Sequence, residues 1–262
     1  MTLNEFKRDF QAALKPTVQA LMDGKLELLD AKPERVPKEW AGLPTSSQIG
    51  KCRRMVTYAK QGHKPMDYTE EDVLWIEFAV HSHKIIQTVL DEAFSELYLC
   101  EWEKRVAKKD SCKWLYSGAY DFLINSPEES VLVEIKNCTP SKYKSIRVLD
   151  DLFEYNPEYR SQVQSTMASL PLVKKTFFIL RMIPEYKSTC NNFKFFELEK
   201  DPNWLEKAKK GWFDELMPYL ERGELFPPEY SKAEPKSKCR YCAFQHLCDG
   251  KQLKEDTKNE TG

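Results

Sequence analysis

Asp121, Glu134 and Lys136 are the residues whose types and spacing point most directly to chemistry. They lie in the run GAYDFLINSPEESVLVEIK, residues 118–136, which reads as two short strands joined by a polar turn over 125–129 with Pro127 inside it. A turn centred between Pro127 and Glu128 sets Tyr120 against Ile135, Phe122 against Val133 and Ile124 against Val131, an apolar side. On the other side Asp121 stands across from Glu134, and Lys136, two residues on, shares that face. Directly opposed side chains have Cβ atoms roughly 4.5–5.5 Å apart. Two carboxylates that close repel unless a cation lies between them. An acidic pair with a lysine at its shoulder is what metal-assisted phosphodiester hydrolysis needs. The plain alternative is the solvated face of a half-buried hairpin. Against it stand Gly118, where a strand bends or a backbone comes close, and the charges of VLVEIK, set in a strand that otherwise reads as buried.

These residues need elements to position them. Residues 3–22 read as a helix and 32–44 as a proline-bearing linker. Ser46 and Ser47 can cap a helix over 49–59. A longer helix runs over 69–94, with Thr69 as its N-cap and Glu70, Glu71 and Asp72 in the first turn. Along it Val73, Ile76, Val80, His83, Gln87, Leu90 and Phe94 recur at spacings of three and four, one face that turns His83 inward and leaves His81 out. An inward histidine is either a satisfied core residue or a metal ligand. A strand at 113–117 precedes the hairpin. Asn156 and Pro157 open a helix to about Leu170, on which Val163, Met167 and Leu170 are apolar and Gln162 and Thr166 form an adjacent polar stripe. Gln162 is placed to hold a catalytic group or a phosphate. Strands at 176–182 and 193–198 and a helix over 202–221 complete an α/β pattern with a mixed sheet.

The 262 residues, 31% charged and 41% hydrophobic, describe a soluble globular chain without an apolar run able to span a bilayer. The N-terminus lacks the apolar core of a secretory signal, so a cytoplasmic address (the host cytoplasm for a phage-encoded chain) or the nucleoid is expected. A net charge of −1 argues against indiscriminate coating of DNA but permits a basic groove. Two of the basic clusters flank the motifs: Lys51, Arg53, Arg54, Lys60 and Lys64, and Lys142, Lys144 and Arg147. Trp102, Trp114, Tyr143 and Tyr155 are aromatics on which bases could stack.

Of eight cysteines, Cys100, Cys112, Cys138 and Cys190 are scattered and read as small buried hydrophobes. Cys239, Cys242 and Cys248 form a C-x2-C-x5-C trio, and Cys52 is the natural fourth ligand. Four thiolates serve an iron–sulfur cluster or structural zinc, and His246 offers zinc another ligand. The trio with one distant cysteine leans toward a 4Fe-4S cubane that ties the chain ends together.

Together these motifs resemble the RecB-type nucleases of the PD-(D/E)XK superfamily, in the iron–sulfur branch that includes CRISPR-associated adaptation nucleases, the AddB nuclease domain and phage exonucleases. The resemblance covers roughly residues 45–250. It implies a restriction-endonuclease-like mixed sheet flanked by helices, with a helical annex clasped by the four-cysteine centre. Residues 1–44 then form an N-terminal helix and linker, and 251–262 a disordered tail. By resemblance His83, Asp121, Glu134 and the carbonyl of Ile135 bind Mg2+ or Mn2+. Asp121, Glu134, Lys136 and Gln162 form the catalytic set, and Cys52, Cys239, Cys242 and Cys248 hold the cluster, with Zn2+ as the alternative. Ala79 and Thr166 depart from the family pattern, which usually has glycine and tyrosine there. The resemblance implies a deoxyribonuclease, an exonuclease before an endonuclease, acting on single-stranded DNA or DNA ends in recombination, repair or CRISPR adaptation, and leaving 5′-phosphates. Arg53, Arg54, Lys142 and Lys144 are its expected DNA contacts, with protein partners of those pathways. The rival readings are a non-catalytic nucleic-acid-binding module and a zinc-clasped adaptor of the same fold.

Overall fold

The hairpin read from the sequence lies inside a mixed five-stranded sheet. The computed structural model describes residues 1–29, 34–183, 192–230, 239 and 242–248. The expected disordered tail over 251–262 and Cys190 lie outside the described residues. The strands are β1 (Leu99–Trp102), β2 (Arg105–Asp110), β3 (Lys113–Ala119), β4 (Phe122–Asn125), β5 (Ser130–Cys138), β6 (Val173–Met182) and β7 (Phe193–Glu199). Their order is β1-β4-β5-β6-β7, with β2 and β3 as a separate ribbon. Only β5 and β6 run parallel; the other neighbours are antiparallel. The β4–β5 register is the expected one, with Phe122 opposite Val133 and Ile124 opposite Val131. Ser126 fixes the turn by donating from Oγ to the Glu129 carbonyl at 2.8 Å.

The helices are α1 (Leu3–Met22), α2 (Arg53–Lys60), α3 (Glu70–Phe94), α4 (Pro140–Ser145), α5 (Leu149–Tyr155), α6 (Pro157–Ser169), α7 (Trp204–Ala208) and α8 (Asp214–Arg222). Thr69 caps α3 in a capping box with Asp72, as read. Asn156 precedes α6 but makes no side-chain cap; Pro157 at the first position needs none for its missing N–H. The helix expected over 49–59 is broken at Gly50, whose φ of +85° lies outside the helical region, so α2 begins only at Arg53. The helix expected over 202–221 is split into α7 and α8 by a π turn at Lys209–Phe213.

One sheet face is covered by α1 and α3. Phe6, Phe10, Ile86, Leu90 and Phe94 pack there on Phe122, Val133, Ile135, Phe177 and Ile179. The crossover helices α4, α5 and α6 cover the other face, where Phe153, Val163 and Met167 meet Leu132, Phe178 and Leu180. The N-terminal helix packs into this core: Phe6 and Phe10 are fully buried and Phe6 stacks on Phe94 at 5.4 Å. One expectation changes: the inward face of α3 holds only from His83 onward, and Val73 and Val80 are each 47% exposed. No helix among the described residues is long and apolar enough to cross a membrane.

Candidate active site and cysteine pocket

β5 is paired with β6 along its whole length, and with β4 over Ser130–Val133. Glu134 and Lys136 alternate with Ile135 on it and point toward the α6 side, while Ile135 packs toward α3. The β4 ladder ends at Phe122. One residue earlier, the Asp121 carboxylate takes the place of a backbone partner by accepting from Ile135 N–H at 2.8 Å. Local bending there also moves Tyr120 off the expected apolar side. It packs with the α6-side core, and its hydroxyl donates to Glu101 at 3.1 Å.

His83 enters from α3. Its Nε2 lies 3.1 Å from the Ile135 carbonyl and 3.4 Å from Asp121 Oδ2. From the opposite side, Lys136 Nζ donates to Glu134 Oε1 at 2.5 Å and to Gln162 Oε1 at 3.2 Å. The expected set Asp121, Glu134, Lys136, His83, Ile135 and Gln162 is therefore brought together from β5, the residue just before β4 and two helices. Two residues not singled out join it. Tyr159, one turn before Gln162 on α6, places its ring 4.6 Å under the Lys136 ammonium. Glu103 sits in the β1–β2 turn with φ +52°. A carboxylate oxygen of Glu103, one of Asp121 and a His83 ring nitrogen lie within 4.8 Å of one another. Gln87, one turn after His83, holds this arrangement by donating to Glu103 Oε1 at 2.8 Å and to the Asp121 carbonyl at 3.1 Å.

Burial sets the electrostatics. Glu134 is 1% exposed. Burial and then the Asp121 charge push its carboxyl up to about 7, although Lys136 opposes this. Burial also works against the Asp121 carboxylate, but His83 and Lys136 outweigh it and hold Asp121 below its ordinary value. For His83, burial disfavours the charged ring, and Asp121 more than reverses this, raising it to about 9. Lys136 is likewise penalised by burial and kept firmly charged by Glu134 and Asp121. Burial raises Glu103, and Gln87 partly restores its charge. The site is thus an acid-rich pocket whose negative charge is balanced by a histidinium and a lysine. A divalent cation between His83, Asp121 and their neighbours would supply the same balance with oxygen and imidazole donors.

The cysteines called as ligands also converge. Cys52, Cys239, Cys242 and Cys248 line one cavity of about 520 Å³ with Lys51, Arg54, Tyr58, Tyr155, Pro157 and Glu158. Cys52 immediately precedes α2, and burial pushes its thiol up to about 12. Of the scattered cysteines, Cys138 is buried as expected and Cys112 is exposed.

The expected DNA contacts fare differently from one another. Arg53 is engaged inside the chain, with Nη2 2.7 Å from Glu229 Oε1 and a second ion pair to Glu215. Arg54 donates to the Phe226 carbonyl at 3.3 Å and lies over the Tyr58 ring. Lys142 sits over the ring of Tyr155 at 4.5 Å, and Lys144 is exposed. Trp102 stacks on Phe122, Trp114 packs edge-on against Trp40 and Tyr143 is buried, so three of the four aromatics serve the fold.

The fold and site define a mixed α/β protein with a buried acidic centre at the hairpin. No family model and no curated protein matches the chain. Among solved structures it is similar to the protein SSO0001, at 13% identity and a TM-score of 0.48, over 91% of this chain and 95% of that one. An alkaline exonuclease from Laribacter hongkongensis aligns at 14% identity and a TM-score of 0.45, over 70% of this chain and 92% of that one. A phage related exonuclease from Haemophilus somnus aligns at 12% identity and a TM-score of 0.44, over 69% and 94%. These values are too low to transfer a role to any residue of this chain.

Proposed function

We propose that the chain is a divalent-metal-dependent deoxyribonuclease, an exonuclease that hydrolyses phosphodiesters of single-stranded DNA or DNA ends to 5′-phosphate products. The observation that carries the reading is the meeting of Asp121, Glu134, Lys136 and His83 in one buried pocket at the end of the β4 ladder. His83, Asp121, Glu134 and the Ile135 carbonyl would hold Mg2+ or Mn2+, and Glu103 adds a carboxylate to the set. Bound there, the cation supplies Lewis acidity toward a phosphoryl oxygen and lowers the pKa of water. Lys136, charged and held between Glu134 and Gln162, places a cation where negative charge builds on the phosphorus oxygens or where the attacking water loses its proton. Gln162 and Tyr159 fix the direction of its ammonium. Burial of the pocket strengthens each of these interactions over its value in water.

The four cysteines are the donor set of a 4Fe-4S cluster, and a shared cavity with more room than one ion supports that assignment. Its role is structural, tying Cys52 to the C-terminal trio.

End-labelled single and double strands, with and without Mn2+, test the reading on anaerobically purified protein. Mn2+-dependent cleavage that Asp121→Ala abolishes, with binding retained, is expected. Cleavage by Asp121→Ala at the parental rate contradicts it. Circular single strands should resist an exonuclease. A brown protein with broad absorption near ~400 nm marks the cluster; a colourless, zinc-containing one assigns the clasp to zinc.

A further inference from the structure

We propose that Lys51 is a phosphate-binding residue of this site, a second cation, beside the α6 turn that carries Gln162, which takes the phosphodiester backbone of a nucleic-acid strand. The assignment rests on the nuclease reading above and adds a substrate contact to it.

Three neighbouring cations lie in the sequence KCRR, and the structure separates them. Arg53 and Arg54 are turned into the chain and engaged there, as described above. The Lys51 ammonium makes no hydrogen bond or ion pair among the described residues. Its backbone is fixed from two sides. The carbonyl accepts from Trp212 Nε1 at 3.1 Å. The preceding Gly50 is pressed against α6 so closely that a Cβ there would come within 2.8 Å of Ser161 Oγ. Ser161 adjoins Gln162, the residue that contacts Lys136. Lys51 therefore stands beside the same turn of α6 that orients the catalytic lysine.

Lys51 also lines two cavities, the cysteine pocket and a second of about 300 Å³ that includes Gly50, Ser161, Trp204 and Trp212. Lys136 is already held by Glu134, whereas Lys51 has no such partner among the described residues, although Glu154 and Glu158 line the same cavity. A half-buried ammonium without a fixed counter-ion is stabilised by an anion that enters the cavity it lines. A phosphodiester chain meets that need with one phosphate at Lys136 and another at Lys51, and half-burial of Lys51 reduces the screening that weakens exposed lysines.

The test uses the full chain, a labelled single-stranded oligonucleotide and Ca2+ in place of Mn2+, read by fluorescence anisotropy across salt concentrations. Lys51→Gln should weaken binding roughly tenfold, the worth of one charge-assisted hydrogen bond. It should reduce the slope of log Kd against log salt by about 0.7, the value of one phosphate contact on a single strand. In Mn2+ the same variant should raise KM with kcat within about twofold of the parent, and Lys51→Arg should recover most of both losses. Lys51→Met, which keeps the aliphatic stem, repeats the measurement if the glutamine variant folds poorly. Parental affinity and slope in either folded variant overturn the assignment. A parent that binds through Lys51 but never cuts sinks the nuclease reading and leaves the assignment standing.

Discussion

Asp121 does two jobs with one carboxylate. It closes the β4–β5 ladder at Ile135 N–H and it pairs with the His83 ring. The pairing fixes a pH dependence for the metal-free protein. His83 is raised from 6.5 to about 9, so its contribution to stability is complete below about pH 6.5 and is lost as pH rises through 9. Denaturant melts in EDTA should show the parent losing on the order of 1–3 kcal/mol relative to His83→Gln between pH 6 and pH 9.5. A difference that stays constant across that range contradicts the pairing. At this scale the sequence was legible wherever strand alternation or helix spacing governed the side chain. Glu134, Lys136, His83 and Gln162 all follow from period and register. Glu103 does not, because it sits at positive φ in a turn where no period applies. Tyr120 and Asp121 lie where the strand has already ended, so alternation no longer decides their direction.

Elements meet at Gly118. It pairs with Val106 in the β2–β3 ribbon, and a Cβ on it would lie 2.3 Å from Ser46 Oγ and 2.9 Å from Ser46 Cβ. The close backbone approach read from the sequence is thus real, and its partner is the turn at Ser46–Gln48. Gly118→Ala should cost about 1–3 kcal/mol in thermal or denaturant unfolding. Adding Ser46→Gly should return part of that loss; no recovery would place the strain elsewhere. The strongly periodic elements, α1, α3, β5 and β6, were readable to within a few residues. β1 and β2 were not. LCEW is too short and RVAKKD too polar to display a strand pattern, and both lie half-buried rather than inside the core. The break at Gly50 shows the same limit, since one left-handed residue ends a helix that composition alone would carry through.

The whole molecule is organised so that both covered faces of one sheet support the acidic centre. α1 belongs to this body. Phe6→Ala should destabilise by about 3–5 kcal/mol, as expected for a fully buried phenylalanine, and removing residues 1–22 should abolish cooperative unfolding. Retention of a parental melt by the truncated chain would make α1 an appendage. The cysteine cavity joins Cys52, at the start of α2, to the C-terminal trio, and so brings Lys51 beside α6. Sequence spacing grouped those four cysteines but carried no information on the α6 residues that line the cavity with them. The central claim is that Lys136, fixed by Glu134 and Gln162, acts in metal-dependent phosphodiester hydrolysis. Single-turnover cleavage of an end-labelled single strand in Mn2+ by Lys136→Ala tests it most directly. A loss of roughly 10²–10⁴-fold in rate with strand binding largely retained is the predicted result; cleavage at the parental rate would contradict it.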